Sequence, residues 1–292
     1  MLNARGTITS AHGRHYLVQL ENGNRITAFP KGKKSDFVCG DICHLELLHE
    51  EGWITSVEDR SSLLWRSDQY KQKMIAANVT MAMIVSATDL PLNLSLINRC
   101  ILACEHQKIR PILILNKIDL GDSAHENPLE PFSKLGYRSL SISAKNNIDN
   151  LRTMIQGERV VFVGTSGVGK TTIINNLVPD AKSKTGEISR VLNSGKHTTT
   201  HATLYQVNEE TSLIDCPGIQ AFGLHHIHPE ELVSLFKEFS PYLGNCQFSD
   251  CSHIAEPGCK VQDAVSKDLV SSFRWEQYKQ LRREVSDTSH WK

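Results

Sequence analysis

The chain has 292 residues, with 32 Lys and Arg balanced by 32 Asp and Glu, so its formal net charge is zero with 13 His taken as neutral. That balance excludes a uniformly basic nucleic-acid-binding surface, while leaving room for a local basic patch. A 40% hydrophobic content suits a chain with a real core, and the length suits two or three domains rather than one. No apolar run approaches a membrane span. Val79–Ala87 is the longest, and Thr80 and Ser86 interrupt it. The opening MLNARGTITS lacks the apolar stretch of a secretory signal. The expectation is a cytoplasmic protein with no membrane partner, in a compartment where clustered cysteines bind metal rather than form disulfides.

In chain order, residues 1–60 predict short strands at Thr7–Ser10, Tyr16–Leu20, Arg25–Phe29, Phe37–Glu46 and Trp53–Val57. Turn chemistry at Glu21-Asn22-Gly23-Asn24 and Gly40-Asp41 separates them, which suits a small closed β-barrel. Residues 61–224 alternate instead. Strands are expected at Met81–Ser86, Pro111–Leu115, Ser139–Ser143 and Val160–Val163, and helices at Leu94–Gln107, Ile148–Ile155 and Lys170–Leu177. This is the α/β pattern of a parallel sheet covered on both faces. Gly121–Pro131 reads as a polar loop. Residues 225–292 are helical in pattern, with amphipathic stretches at Pro229–Phe239 and Phe273–Val285.

The strand Val160–Val163 leads into Gly164-Thr165-Ser166-Gly167-Val168-Gly169-Lys170-Thr171, which fits G-x-x-x-x-G-K-[ST] and runs on through Thr172 into the helix. Its glycines allow backbone N–H groups to surround phosphate oxygens at a helix N-terminus. Lys170 is placed to reach the β- and γ-phosphates and act in catalysis, and the Thr171 hydroxyl to ligate Mg²⁺. Asn116-Lys117-Ile118-Asp119 follows the strand Pro111–Leu115 and selects the base. The Asp119 carboxylate can accept from guanine N1–H and its 2-amino group together, whereas adenine would leave it unpaired. Ser143-Ala144-Lys145 suits a second base-contacting loop.

Asp215-Cys216-Pro217-Gly218 completes the set, with Asp215 holding Mg²⁺ through water and the Gly218 N–H sensing the γ-phosphate. One of Thr198, Thr199 and Thr200, with the central Thr199 as the candidate, is expected to donate to the Mg²⁺ shell. Ile219 follows the D-x-x-G motif and cannot orient water, so a partner or an internal group must do so. His201 is the internal candidate, against the alternative of a plain surface histidine. The order is informative: N-K-x-D and S-A-K precede the P-loop, and D-x-x-G comes last. The set is circularly permuted, and the γ-phosphate sensor runs directly into the C-terminal segment.

Cys246-x₄-Cys251-x-His253-x₅-Cys259 offers three thiols and an imidazole, a closed tetrahedral set for one structural Zn²⁺. The run His225-His226-Ile227-His228 is expected as a solvated loop rather than a second metal site. Basic residues gather at Lys31, Lys33 and Lys34, and again at Lys182, Lys184, Arg190 and Lys196.

Taken together, the permuted motifs, the T-T-T-H run at Thr198–His201 and the segment Cys-x₄-Cys-x-His-x₂-Glu-Pro-Gly-Cys resemble the ribosome small-subunit-dependent GTPase A family. Thr171 stands where that family is expected to carry serine, keeping the hydroxyl. The resemblance implies an OB-fold over residues 1–60, a circularly permuted P-loop GTPase domain over 61–224 and a helical zinc-binding domain over 225–292. It also implies a monomer that acts in late maturation of the small ribosomal subunit and contacts rRNA. GTP hydrolysis to GDP and phosphate would be stimulated by the subunit and coupled to release. Two other readings stay open: a GTP-gated binding checkpoint, and a GTPase switch acting on a protein partner without RNA.

Overall fold

Alternation of buried with more exposed side chains, clearest in the second and fifth strands, shapes the N-terminal segment of the computed structural model, which describes residues 2–33, 36–67, 72–120, 127–146, 148–178, 201–218 and 222–286. Strands β1 (Leu2–His12), β2 (His15–Leu20), β3 (Arg25–Pro30), β4 (Ile42–Leu48) and β5 (Glu51–Val57) pair in the order β1-β2-β3-β5-β4. Pairing of β4 with β1 closes the barrel, and β3–β5 is its one parallel contact. Ile8, Tyr16, Val18, Ala28, Leu45 and Ile54 fill it. The closed five-stranded barrel is thus the one expected, with a difference at the fourth strand. Phe37–Asp41 is not extended; the strand begins at Ile42. The buried Asp41 carboxylate accepts from the Val38 N–H at 2.8 Å and pairs with Arg60 at 2.7 Å, fixing a turn. Gly40 adopts φ +95° there, with its Cα against the Ala77 carbonyl, where a Cβ would clash.

A hairpin absent from the sequence expectation follows: β6 (Leu63–Ser67) and β7 (Gln72–Ala77) pair as a separate two-stranded sheet. The parallel sheet then runs β10-β9-β8-β11-β13, from β8 (Met81–Ala87), β9 (Arg110–Asn116), β10 (Arg138–Ser141), β11 (Arg159–Val163) and β13 (Ser212–Asp215). An antiparallel edge strand, β12 (Thr203–Gln206), pairs with β13 and touches β1 at Ser10. β8 is buried at every position, as a central parallel strand must be. Helix α1 (Leu94–His106), N-capped by Asn93, packs on one face of the sheet. Helices α3 (Asp149–Met154) and α4 (Lys170–Leu177) pack on the other, and the short α2 (Glu130–Ser133) overlaps the expected polar loop.

The C-terminal segment shares its core with the α1 face, where Phe236, Phe239, Tyr278, Leu281 and Val285 join Ile97 and Ile101 in one apolar cluster. The expected helix Pro229–Phe239 is instead a single turn, Pro229–Leu232, followed by 3-10 turns at Val233–Leu235 and Lys237–Tyr242. Pro241 supplies no N–H for a continuing helix. Phe236 also leaves helical geometry, at ψ 88°, to stack on Phe239 at 5.0 Å. The last helix runs from Ser272 to Ser286, close to expectation. No helix among the described residues is long and apolar enough to cross a membrane.

Candidate functional site

Parallel strands deliver their following loops to one edge of a sheet, which is where ligands of open α/β folds sit. The loops after β9, β10, β11 and β13 all leave from that edge, so the permuted motifs converge although their chain order is changed. Asn116 does the joining. It is 1% exposed; its Nδ2 donates to the Val168 carbonyl at 2.9 Å, and its Oδ1 accepts from the Ala144 N–H at 3.0 Å. One side chain thereby ties N-K-x-D to the P-loop and to S-A-K.

The P-loop has the conformation its glycines permit, with positive φ at Gly164, Gly167 and Gly169. Gly169 forms the N-terminal boundary of α4 in the left-handed region, against the Asn116 amide. Lys170 is buried, and its Nζ donates to the Gly164 and Thr165 carbonyls at 2.9 Å each. Burial pulls its pKa down, opposed by the nearby Asp215. Thr165 is half-buried, whereas Ser166, Gly167, Thr171 and Thr172 are exposed on the loop and the first turn of α4.

The Thr171 hydroxyl donates to Asp215 Oδ2 at 3.0 Å. Asp215 itself is 2% exposed, and burial raises its pKa against the opposing effects of Thr171 and Lys170. Its Oδ1 is buried, with no hydrogen-bond partner among the described residues. A desolvated carboxylate oxygen beside a hydroxyl, at the mouth of a phosphate loop, is a donor set that fits a hard divalent cation. Gly218 packs on the P-loop so tightly that a Cβ there would approach the Ser166 amide nitrogen to 2.9 Å.

On the N-K-x-D side, Asp119 is exposed between the exposed Ile118 and Leu120. Its pKa is lowered, by the nearby Ser143 hydroxyl first and then by Lys145 and Lys117, which favours the charged, accepting form. Lys117 adopts φ 62°, and its Nζ pairs with Asp89 at 2.8 Å. Thr88 Oγ1 donates to the Lys117 carbonyl at 2.6 Å. Asn176, on the last turn of α4, donates to the Ala144 carbonyl. Thr88, Asp89 and Asn176 belong to none of the motifs, and sequence reasoning missed them; the position of Thr88 and Asp89, just past a buried parallel strand, was the available signal.

Of the two catalytic candidates besides Lys170, Thr199 lies outside the described residues, as do Ile219, Lys34 and the basic run at 182–196. His201 packs edge-on against His12 of the barrel at 4.5 Å, and burial with nearby Lys73 lowers its pKa. The run at 225–228 departs from the expected solvated loop. Its His226 packs at a tilt against Trp65 at 4.7 Å and bonds Ser67 Oγ through Nδ1 at 2.8 Å. Burial, with His106 and His225 nearby, drops its pKa to about 4. The run belongs to no metal-ligating group among the described residues.

The Cys-His segment does form such a group. The donor atoms of Cys246, Cys251, His253 and Cys259 all lie within 4.8 Å of one another. His253 Nδ1 is 3.5 Å from the Sγ atoms of Cys246 and Cys259, which are 4.0 Å apart. Tetrahedral thiolates on zinc stand about 3.8 Å apart, given Zn–S of about 2.3 Å, so the cluster fits the ion. The supporting shell is in place. Glu256 accepts from the Ser252, Ile254 and Ala255 N–H groups at 2.8, 3.1 and 3.1 Å, and Trp275 Nε1 donates to the His253 carbonyl at 2.9 Å. The Lys260 N–H donates to Cys246 Sγ at 3.3 Å.

The family model described as RsgA GTPase matches residues 57–225, more than half of the chain. A protein of Nitrosospira multiformis named small ribosomal subunit biogenesis GTPase RsgA is 44% identical, covering 95% of this chain and 90% of its own length. The protein of that name from Nitrosomonas europaea is 40% identical over 98% of this chain and 93% of its own. Among solved structures, YjeQ from Thermotoga maritima superposes with a TM-score of 0.72 at 27% identity, covering 98% of this chain and 99% of that one. YloQ, described as a circularly permuted GTPase, gives 0.70 at 23% identity over 98% and 96%, a likeness of fold.

Proposed function

The chain belongs to the RsgA GTPase family, and from that premise we propose that it binds the small ribosomal subunit late in maturation, hydrolyses GTP there and leaves on hydrolysis. The observation that carries the nucleotide assignment is the Asn116 tie, which holds the phosphate loop and both base-reading loops as one site. Residues 164–172 cradle the phosphates, and Asp119 with residues 143–145 reads guanine. Lys170 exchanges its two loop carbonyls for β- and γ-phosphate oxygens. Thr171 and Asp215 would hold Mg²⁺, which when bound supplies positive charge to the phosphates.

Gly218 senses the γ-phosphate through its N–H, and Thr199 joins the cation shell in the GTP state. His201, whose pKa is lowered by partial desolvation and by nearby Lys73, is the internal group proposed to position water. Cys246, Cys251, His253 and Cys259 would hold one Zn²⁺ as a closed structural site. We divide the chain at residues 60 and 224 into barrel, GTPase and zinc-bearing parts, acting as a cytoplasmic monomer. Lys31 and Lys33, with Lys34, Lys182, Lys184, Arg190 and Lys196, are the proposed phosphate contacts to rRNA.

Co-sedimentation with purified small subunits tests this directly. Retention with a non-hydrolysable GTP analogue and loss with GDP is expected; equal binding in both states removes the switch.

A further inference from the structure

The outer face of a barrel strand is ordinarily polar, because the alternate residues already fill the core. Three strands of this barrel depart from that pattern in one row. In β2, Tyr16 is buried and His15 exposed; in β3, Ala28 and Pro30 are buried and Phe29 only half-buried; in β5, Gly52 and Ile54 are buried while Trp53 is 38% exposed. Strand register aligns the three outward residues. His15 stands one position beyond the Tyr16–Ala28 pair, on the Phe29 side, and Phe29 pairs with Trp53 across the parallel contact. The rings touch in sequence, His15 to Phe29 at 5.2 Å edge-on and Phe29 to Trp53 at 5.6 Å tilted.

One end of this row is cationic. Arg14 Nη2 donates to the Gly32 carbonyl at 3.0 Å, which brings its guanidinium to the loop carrying Lys31 and Lys33. Lys31 is engaged with Glu46, while Lys33 is exposed. Partly exposed π-faces in line with cations match a strand of unpaired nucleotides, whose bases stack while phosphates meet the charges. A duplex hides its base faces and offers only backbone and groove. A purely apolar protein partner gains nothing from Arg14 and Lys33.

We propose that His15, Phe29 and Trp53 form a stacking platform for unpaired RNA bases, with Arg14 and Lys33 at its rim for the backbone. The platform rests on the rRNA contact proposed above and adds its chemistry: single-stranded, base-stacked and sequence-tolerant. Cross-strand aromatic contact also stabilises a sheet, so the test must read more than folding.

The experiment uses the full chain and a short labelled oligoadenylate, with a matched RNA duplex as comparator, across a range of salt. Trp53→Ala is expected to weaken oligoadenylate binding about tenfold. Trp53→Phe should stay within about threefold of the parent, because a π-face remains. Trp53→Ala should leave duplex affinity, unstimulated GTP hydrolysis and the circular dichroism spectrum as they were. The salt slope should persist in Trp53→Ala and become shallower in Lys33→Ala.

Unchanged oligoadenylate affinity in a folded Trp53→Ala overturns the platform, as does an equal loss on the duplex. Loss of subunit co-sedimentation with RNA affinity intact also overturns it, and assigns the row to a ribosomal protein. Stacked binding to oligoadenylate by a chain that ignores small subunits in every nucleotide state would instead sink the proposed function and leave the platform standing.

Discussion

Asn116 contributes through both ends of its amide, and this makes it the residue whose loss the site tolerates least. Alanine there leaves the buried Val168 carbonyl and Ala144 N–H without partners, each costing about 1–3 kcal/mol. Asn116→Ala should therefore lose about 2–4 kcal/mol of unfolding free energy in urea without nucleotide. It should also bind fluorescent GDP at least about tenfold more weakly, because the loops it joins are no longer held in register. A variant within about 0.5 kcal/mol of the parent and with unchanged affinity would show that the loops are positioned by something else. The motif residues were legible in the sequence because phosphate and guanine chemistry demands particular groups at short spacing. Thr88, Asp89 and Asn176 were not, since each acts on a loop far away in the chain, and no local pattern records that meeting.

Elements were legible where their period was long or their burial complete, as in β8 and α1, and illegible where distant contacts set them. β12 is four residues long and exists because β13 and the barrel's β1 flank it. The turns at 233–242 lost their helix to Phe236, which leaves the helical path for the ring cluster of Phe239 and Tyr278 and for the Arg274 guanidinium, 4.5 Å above its face. The Cys-His segment is the opposite case, since four donors within fourteen residues announce themselves. That segment has almost no regular structure between Leu243 and Cys259, so a bound ion would do there what secondary structure does elsewhere. Purified chain should release one zinc per molecule to a colorimetric chelator after thiol modification. Cys251→Ser should retain zinc more weakly, with an unfolding midpoint lowered by several degrees. Its GDP affinity should stay near the parent value, because the nucleotide site is built on other elements. A chain that holds no zinc when expressed in zinc-replete medium, yet keeps the parent stability, would make the four donors a thiol cluster only.

Across the whole molecule, permutation changes where a nucleotide signal can go. The chain leaves Gly218, the proposed γ-phosphate sensor, and is gripped again at Phe222–His226 by three other parts of the fold. The Ser67 N–H of the β6–β7 hairpin donates to the Gly223 carbonyl at 3.0 Å, and Ser67 also engages His226. Arg99 of α1 reaches the Phe222 carbonyl at 3.5 Å and holds Glu284 of the last helix through paired bonds of 2.8 and 2.6 Å. His225 adds a third contact to Glu284 at 3.4 Å. Arg99 thus touches, at once, the segment after the proposed sensor and the last helix, which packs beside the Cys-His segment. Such a group transmits a change only if its contacts differ between nucleotide states, and that difference is measurable as a coupling. Arg99→Ala removes a bidentate, mostly buried pair and should destabilise the chain by about 2 kcal/mol. The sharper effect is on coupling. The parent's preference for small subunits in the GTP-analogue state over the GDP state should shrink about fivefold or more, while GDP affinity changes by less than about threefold. Arg99→Lys keeps the charge but cannot make the paired bonds, so it should recover stability before it recovers the preference. If Arg99→Ala loses stability yet keeps the full nucleotide preference, the clasp is a structural joint, and the signal must travel through Ser67 and the hairpin instead.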